Sequence, residues 1–86
     1  MVAFTKSLAL ELAAQGVRCN CVLPSYTDTP MTAGNSAQDK ARDAAKSALN
    51  RAARPEEVAD VVAFLCGPRS SYVNGSAIDI NGGAVV

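Results

Sequence analysis

A single glycine constrains this chain more than any other feature. Residues 2–15 (VAFTKSLALELAAQ) carry apolar side chains at helical spacing: Phe4, Leu8 and Leu12 recur every fourth residue, with Val2, Ala9 and Ala13 widening the stripe. Residues 17–23 (VRCNCVL) alternate as a strand does, and only Gly16 stands between the two patterns. A helix that passes into a strand through one residue needs a left-handed C′ position, which glycine supplies without steric cost. Such a junction is the second half of a βαβ unit. The strand that should precede the helix has no counterpart here, so we expect these residues to come from a longer polypeptide.

The predicted strand, Val17–Leu23, is closed by Pro24. Val17, Cys19, Cys21 and Leu23 share one face, and Arg18, Asn20 and Val22 share the other. Asn20 is expected to be buried, with its amide bracing neighbouring backbone. The loop beyond Pro24 is rich in hydroxyls, with Ser25, Tyr26, Thr27 and Thr29 before Pro30. In open α/β sheets ligands bind just past the carboxyl ends of the strands, which makes Ser25–Thr29 the candidate ligand-facing loop. The same threonines also suit a plain turn, which their hydroxyls would cap.

Downstream, Ser36 is placed to cap a helix running to about Arg51, with Asp39–Arg42 and Asp43–Lys46 as favourable i,i+3 pairs. Its apolar side is thin (Ala37, Ala41, Ala44, Ala48, Leu49). That composition suits a mobile flap over the ligand loop, and equally a plain solvated helix. Residues 51–67 hold the clearest helix: Pro55 at the first helical position, Glu56 and Glu57 at the positive end of the dipole, and Gly67 to end it. Val58, Val61, Val62 and Leu65 are its expected buried stripe. A second strand follows at Ser76–Ile80 and is broken by Asn81-Gly82-Gly83. The predicted order is helix, strand, helix, helix, strand, an α/β arrangement with an incomplete parallel sheet.

Composition narrows the function. Eight basic residues balance eight acidic ones, without a run of either sign, which argues against a nucleic-acid or anionic-membrane surface. The longest apolar run, Val61–Cys66, is six residues, against the ~20 that span a bilayer. No signal peptide is visible, so the cytoplasm is the expected compartment. Three cysteines and no histidine leave no second pair to complete a tetrahedral metal site with Cys19 and Cys21. We therefore expect reduced thiols and no metal. Without histidine, a general base must be Asp, Glu, Lys, Tyr or Cys. Neither Tyr26 nor Tyr72 has a lysine one helical turn later to lower its pKa, so no catalytic residue is assigned.

The ordered pieces TKSLALELAAQGVRCNCVLP, TDTPM and RAARPEEVADVVAFLCGPRSSYVNGSAIDINGG resemble the C-terminal third of the short-chain dehydrogenase/reductases. These are NAD(P)-dependent Rossmann oxidoreductases. The resemblance covers essentially the whole chain and implies the C-terminal part of one doubly wound Rossmann domain over residues 1–86. It places the catalytic serine, the Tyr-x-x-x-Lys pair and the glycine-rich cofactor loop upstream of Met1. What remains is the wall of the nicotinamide site: Pro24 matches the family's proline, Thr27 the position whose backbone bonds the carboxamide, and Thr29 the family's threonine. Ser25 stands where the family has glycine, a position that permits an unusual backbone angle or close approach to the ring. Asn81 replaces the usual acid before Gly-Gly. Met31 opens the substrate flap, residues 32–50. By resemblance the cofactor is NAD or NADP and the substrate a small carbonyl or alcohol, with a 3-oxoacyl-ACP-reductase-like activity as one guess. The parent would be a homodimer or homotetramer, and the 86 residues alone would be inactive. The alternative is a non-catalytic interaction module that reuses the fold.

Overall fold

The structure is a computed structural model that describes residues 1–28, 34 and 36–84. Its order is α1 (Val2–Leu12), β1 (Cys21–Pro24), α2 (Ala37–Ala45), α3 (Pro55–Cys66) and β2 (Ala77–Ile80), with short 3-10 turns at Ala13–Gln15 and Pro68–Ser70. The two strands pair in parallel, Cys21 opposite Ala77 through Pro24 opposite Ile80. Parallel neighbours require a long crossover, and α2 and α3 lie within it. The chain is α/β, as the sequence implies.

Gly16 behaves as the junction requires. Its φ is +74°, its N–H donates to Ala13 O at 3.0 Å, and Val17 N–H donates to Leu12 O at 3.3 Å. That pair of bonds is a Schellman ending. The strand, however, starts later than its alternation predicts, at Cys21 rather than Val17. Over residues 19–20 two side-chain amides take the place of ladder bonds. Cys19 N–H donates to Asn74 Oδ1 at 2.9 Å, and Ser76 N–H donates to Asn20 Oδ1 at 2.9 Å. Asn20 Nδ2 in turn donates to Val73 O at 3.0 Å. Asn20 is thus the backbone brace expected of it, though half-buried rather than buried.

The most buried line of α1 runs along one edge of the predicted stripe. Ala9 is buried and Leu8 and Leu12 are half-buried, as expected, but Thr5 joins them and Phe4 does not. Thr5 and Ala9 are each 4% exposed, whereas Phe4 is 64% exposed. The reason is distance: a Cβ built on Gly75 (φ +74°) would meet Ala9 Cβ at 3.4 Å. Only small side chains allow α1 to lie that close to the turn before β2. Lys6 Nζ, donating to Gly75 O at 2.8 Å, ties the same contact from outside.

Helix α3 starts at Pro55 as predicted, and Val58, Val61 and Leu65 are half-buried, while Val62 is exposed. Its carboxyl end is held from afar. Arg18 donates through Nη2 to Leu65 O at 2.9 Å and Gly67 O at 3.3 Å, and through Nη1 to Val73 O at 3.0 Å. A cation at the negative end of a helix dipole also gains electrostatically. Ser70, 1% exposed, sets its hydroxyl within 2.9–3.1 Å of the Phe64, Leu65 and Gly67 carbonyls. Helix α2 is capped by Ser36, whose Oγ accepts Asp39 N–H at 3.1 Å, and both predicted ion pairs form, at 3.2 and 3.5 Å. It ends at Ala45 rather than near Arg51, because residues 47–53 are drawn into contacts at the ends of both strands.

Among the described residues Ala9 is the sole buried apolar side chain. The radius of gyration is 15.4 Å, against about 12 Å for a compact chain of this length. These elements do not close a core of their own.

Candidate functional site

The carboxyl ends of β1 and β2 open into a cleft of about 320 Å³. The β1 end contributes Ser25 and Tyr26, the β2 end Asp79 to Gly82, and the crossover Asp43, Ser47, Leu49, Arg51, Ala53 and Glu57. The cleft therefore lies where the switch-point rule for open α/β sheets puts a ligand. Its volume falls at the lower end of small-molecule sites, about 300–1,000 Å³.

The candidate loop is anchored on both sides. Ser25 N–H donates to Ile80 O at 3.1 Å, which extends the ladder one residue past Pro24. Thr27 pairs in parallel with Ala53, through Ala53 N–H to Tyr26 O at 3.1 Å and Asp28 N–H to Ala53 O at 2.9 Å. Inside the loop, Tyr26 N–H donates to Ser25 Oγ at 2.6 Å and Thr27 Oγ1 donates to Ser25 O at 3.1 Å. The hydroxyls thus shape the turn, as the plain reading of their chemistry expects, and the loop they shape borders the cleft. Ser25 needs no glycine-like conformation, since among the described non-glycine residues only Asn50 has positive φ, at 59°. Of the predicted site residues, the structure brings Pro24, Ser25 and Thr27 to the strand end. Thr29 and Met31 lie outside the described residues, as does the opening of the predicted flap.

A strap, residues 47–54, borders the cleft through Ser47, Leu49, Arg51 and Ala53. Arg51 donates to both Glu57 oxygens, at 2.7 and 2.9 Å, and Arg54 N–H donates to Glu57 Oε1 at 2.9 Å. The Arg51 guanidinium, helped by the Arg54 amide, lowers the Glu57 carboxyl to about 2. Glu57 is therefore an ionised structural group at neutral pH and no proton carrier.

Gly82 and Gly83 do more than break β2. Both have positive φ, 58° and 82°. A Cβ on Gly82 would collide with Ser47 Oγ, and one on Gly83 would come within 2.8 Å of Ala48 Cβ. Into this bare backbone the strap docks: Ser47 Oγ donates to Gly82 O at 3.0 Å and Leu49 N–H donates to the same oxygen at 3.1 Å. Sequence reasoning saw the Gly-Gly pair but not its partner. Nothing marks Ser47 in the sequence, and the fit between them exists only in three dimensions. Asn81 makes a local turn, its Oδ1 accepting Gly83 N–H at 3.0 Å.

Tyr26 is half-buried at the cleft, while Tyr72 is fully exposed and remote from it. Among the described residues no group of three His, Cys, Asp or Glu side chains is placed to hold a metal, and no helix is long and apolar enough to cross a membrane.

A parallel α/β unit with a ligand-sized cleft at its strand ends defines a class, and comparison with known proteins identifies it. Residues 1–85 match the family model described as enoyl-(acyl carrier protein) reductase, and the chain belongs to the short-chain dehydrogenase/reductases. It is 46% identical over 79 residues to a cis-4-hydroxycyclohexanecarboxylate dehydrogenase of Sinomonas cyclohexanicum, covering 92% of this chain and 32% of that protein. It is 46% identical over 83 residues to the 3-oxoacyl-(acyl-carrier-protein) reductase FabG of Aquifex aeolicus, covering 96% and 34% respectively. The crystal structure of a 3-oxoacyl-(acyl-carrier protein) reductase from Brucella melitensis superposes with a TM-score of 0.94 at 36% identity, over 99% of this chain and 32% of that one. The fold is thus part of a Rossmann oxidoreductase fold, and the chain spans about a third of the length of the relatives it matches.

Proposed function

We propose that these residues form the C-terminal segment, 1–86, of a single Rossmann domain in an NAD(P)-dependent oxidoreductase that interconverts a carbonyl and an alcohol. The observation that carries this reading is the loop Pro24–Thr27, held on the open end of a parallel strand pair beside the cleft. The named activities of the relatives point the same way, each being a dehydrogenase or a ketoacyl reductase. A 3-oxoacyl-ACP-like substrate is the favoured guess within that class.

The nicotinamide cofactor would supply or accept the hydride. Fit to such a group is supported by the cleft volume and by a loop fixed through five bonds to Ile80, Ala53 and Ser25. Pro24, Ser25 and Thr27 would form the wall that orients the carboxamide, joined by Thr29 and Met31, and residues 32–50 would cover the substrate. Rigid positioning of this kind lowers the entropic barrier to a bimolecular step. No acid or base for the reaction is assigned among these 86 residues. The proton donor, the catalytic serine and the NAD-versus-NADP choice would belong to preceding sequence. Exposed Phe4, Leu10, Val62 and Phe64 favour cover by further protein, either the rest of the domain or a second subunit.

Two measurements test the proposal. The 86-residue chain, assayed with NADH and NADPH against a ketone panel, is expected to give no rate above blank; saturable turnover would overturn the division of labour. The native polypeptide recovered from its source is expected at roughly 25–28 kDa, the size of one whole Rossmann domain. A native mass of 8.8 kDa would instead favour an interaction module.

A further inference from the structure

We propose that Asn81-Gly82, at the carboxyl end of β2, is a self-modification site: the Gly82 nitrogen displaces the Asn81 side-chain amide and turns a neutral part of the cleft wall anionic. Nothing in this chemistry depends on the reaction proposed above. The chain carries two Asn-Gly pairs, Asn74-Gly75 and Asn81-Gly82. Glycine has no side chain to shield its own nitrogen, so in such a pair that nitrogen can attack Cγ of the asparagine and close a cyclic imide. In sequence the two pairs are equivalent. Exposure alone would favour Asn74, which is exposed, over half-buried Asn81. Their hydrogen bonds reverse that order.

Asn74-Gly75 is locked at both reacting groups. Gly75 N–H donates to Cys19 O at 2.8 Å, and Asn74 Oδ1 accepts Cys19 N–H at 2.9 Å. Bringing the Gly75 nitrogen onto Asn74 Cγ therefore requires both bonds to Cys19 to open. At Asn81-Gly82 the atoms that exchange partners are not held. Among the described residues the Gly82 N–H makes no hydrogen bond, and neither does the Asn81 Nδ2 group. The bonds that are present assist the step. Gly83 N–H donates to Asn81 Oδ1 at 3.0 Å, so a donor already faces the oxygen that gains negative charge as Cγ becomes tetrahedral. Ala84 N–H donates to Asn81 O at 3.0 Å and closes a turn with positive φ at both Gly82 and Gly83, 58° and 82°. Reactant and donor thus sit in one frame. Asn81 and Gly82 both line the cleft, which admits water to them.

The step balances with water as its sole co-reactant. The Gly82 nitrogen bonds Cγ, the Cγ–Nδ2 bond breaks, and the proton released from Gly82 leaves with Nδ2 as ammonia. Water then opens the imide at one carbonyl or the other. The products are aspartate and, with the main chain rerouted through the side chain, isoaspartate. Both are ionised at neutral pH. The new carboxylate stands two residues from Asp79, which lines the same cleft.

The test is timed incubation of the native polypeptide at neutral to mildly alkaline pH, with peptide mass mapping of both pairs and isoelectric focusing of the whole chain. Conversion at Asn81 is expected to outrun conversion at Asn74 by roughly tenfold or more, the factor that two opened hydrogen bonds impose on a rate. In denaturant, where neither pair is held, the two rates should become nearly equal. Asn81→Gln, whose longer side chain closes the ring far more slowly, should lose the acidic form on focusing. Asn74 converting as fast as Asn81 in the native chain would overturn the site. So would an unmodified Asn81 over the time in which the denatured chain converts, or an acidic form that persists in Asn81→Gln. A preference for Asn81 that survives in denaturant would trace it to local sequence and overturn the structural cause.

Discussion

The two ends of the β1–β2 pair are built by different rules. At the amino end, side chains reach across the chain to backbone: Arg18 to three carbonyls, Asn20 and Asn74 into the strand gap, Ser70 under the end of α3. Partners there lie 47–56 residues apart in sequence for Arg18, Asn20 and Cys19, so these bonds define tertiary structure. At the carboxyl end the bonds that join loop, strap and β2 are mostly backbone to backbone: Ser25 to Ile80, Ala53 to Tyr26, Asp28 to Ala53 and Leu49 to Gly82. The contrast places a side-chain-locked foundation under a backbone-cradled site. Functional loops are commonly found on such rigid scaffolds.

The comparison is broken most strongly at Arg18. Arg18→Ala removes charge-assisted bonds from half-buried carbonyls and a cation from the helix end, and should cost about 2–3 kcal/mol in denaturant unfolding. Exchange at the last turn of α3 should rise with it. An effect under about 0.5 kcal/mol would mean that Ser70 alone secures that turn. Next comes Asn20→Ala, which leaves Ser76 N–H without its partner and Val73 O with Arg18 alone. About 1–2 kcal/mol is expected, with the cleft-end bridge Thr27–Ala53 unchanged by exchange. Equal loosening at both ends would remove the distinction between them.

The smallest effect belongs to the carboxyl end, where Arg51 and Glu57 are largely solvent-exposed and such pairs contribute little. Its signature is the pH dependence. The Glu57 pKa in the folded chain is about 2, below its ordinary value of 4.5. Its contribution is therefore fully present above about 4.5 and is lost as pH falls toward 2. Carboxyl NMR titration should find the low midpoint, and Glu57→Gln should flatten that part of the stability profile. A midpoint at 4.5 would show the pair open in solution.

Local chemistry was legible in the sequence wherever one residue and its near neighbours suffice. Gly16 ends α1 in a left-handed conformation, Ser36 caps α2, Pro55 starts α3, and Asp39–Arg42 and Asp43–Lys46 pair, because each depends on φ preferences or bonds within a few residues. The family signatures made the α/β class legible for the same reason: each lies in consecutive residues. Only the tertiary structure decided which face of α1 is buried, where β1 begins, and where α2 stops. Gly75 admits Ala9 at close range, Asn20 and Asn74 bond the backbone before Cys21, and Gly82 draws Ser47 out of the helix. Each outcome turns on a partner dozens of residues away, and a one-dimensional pattern carries no record of that distance.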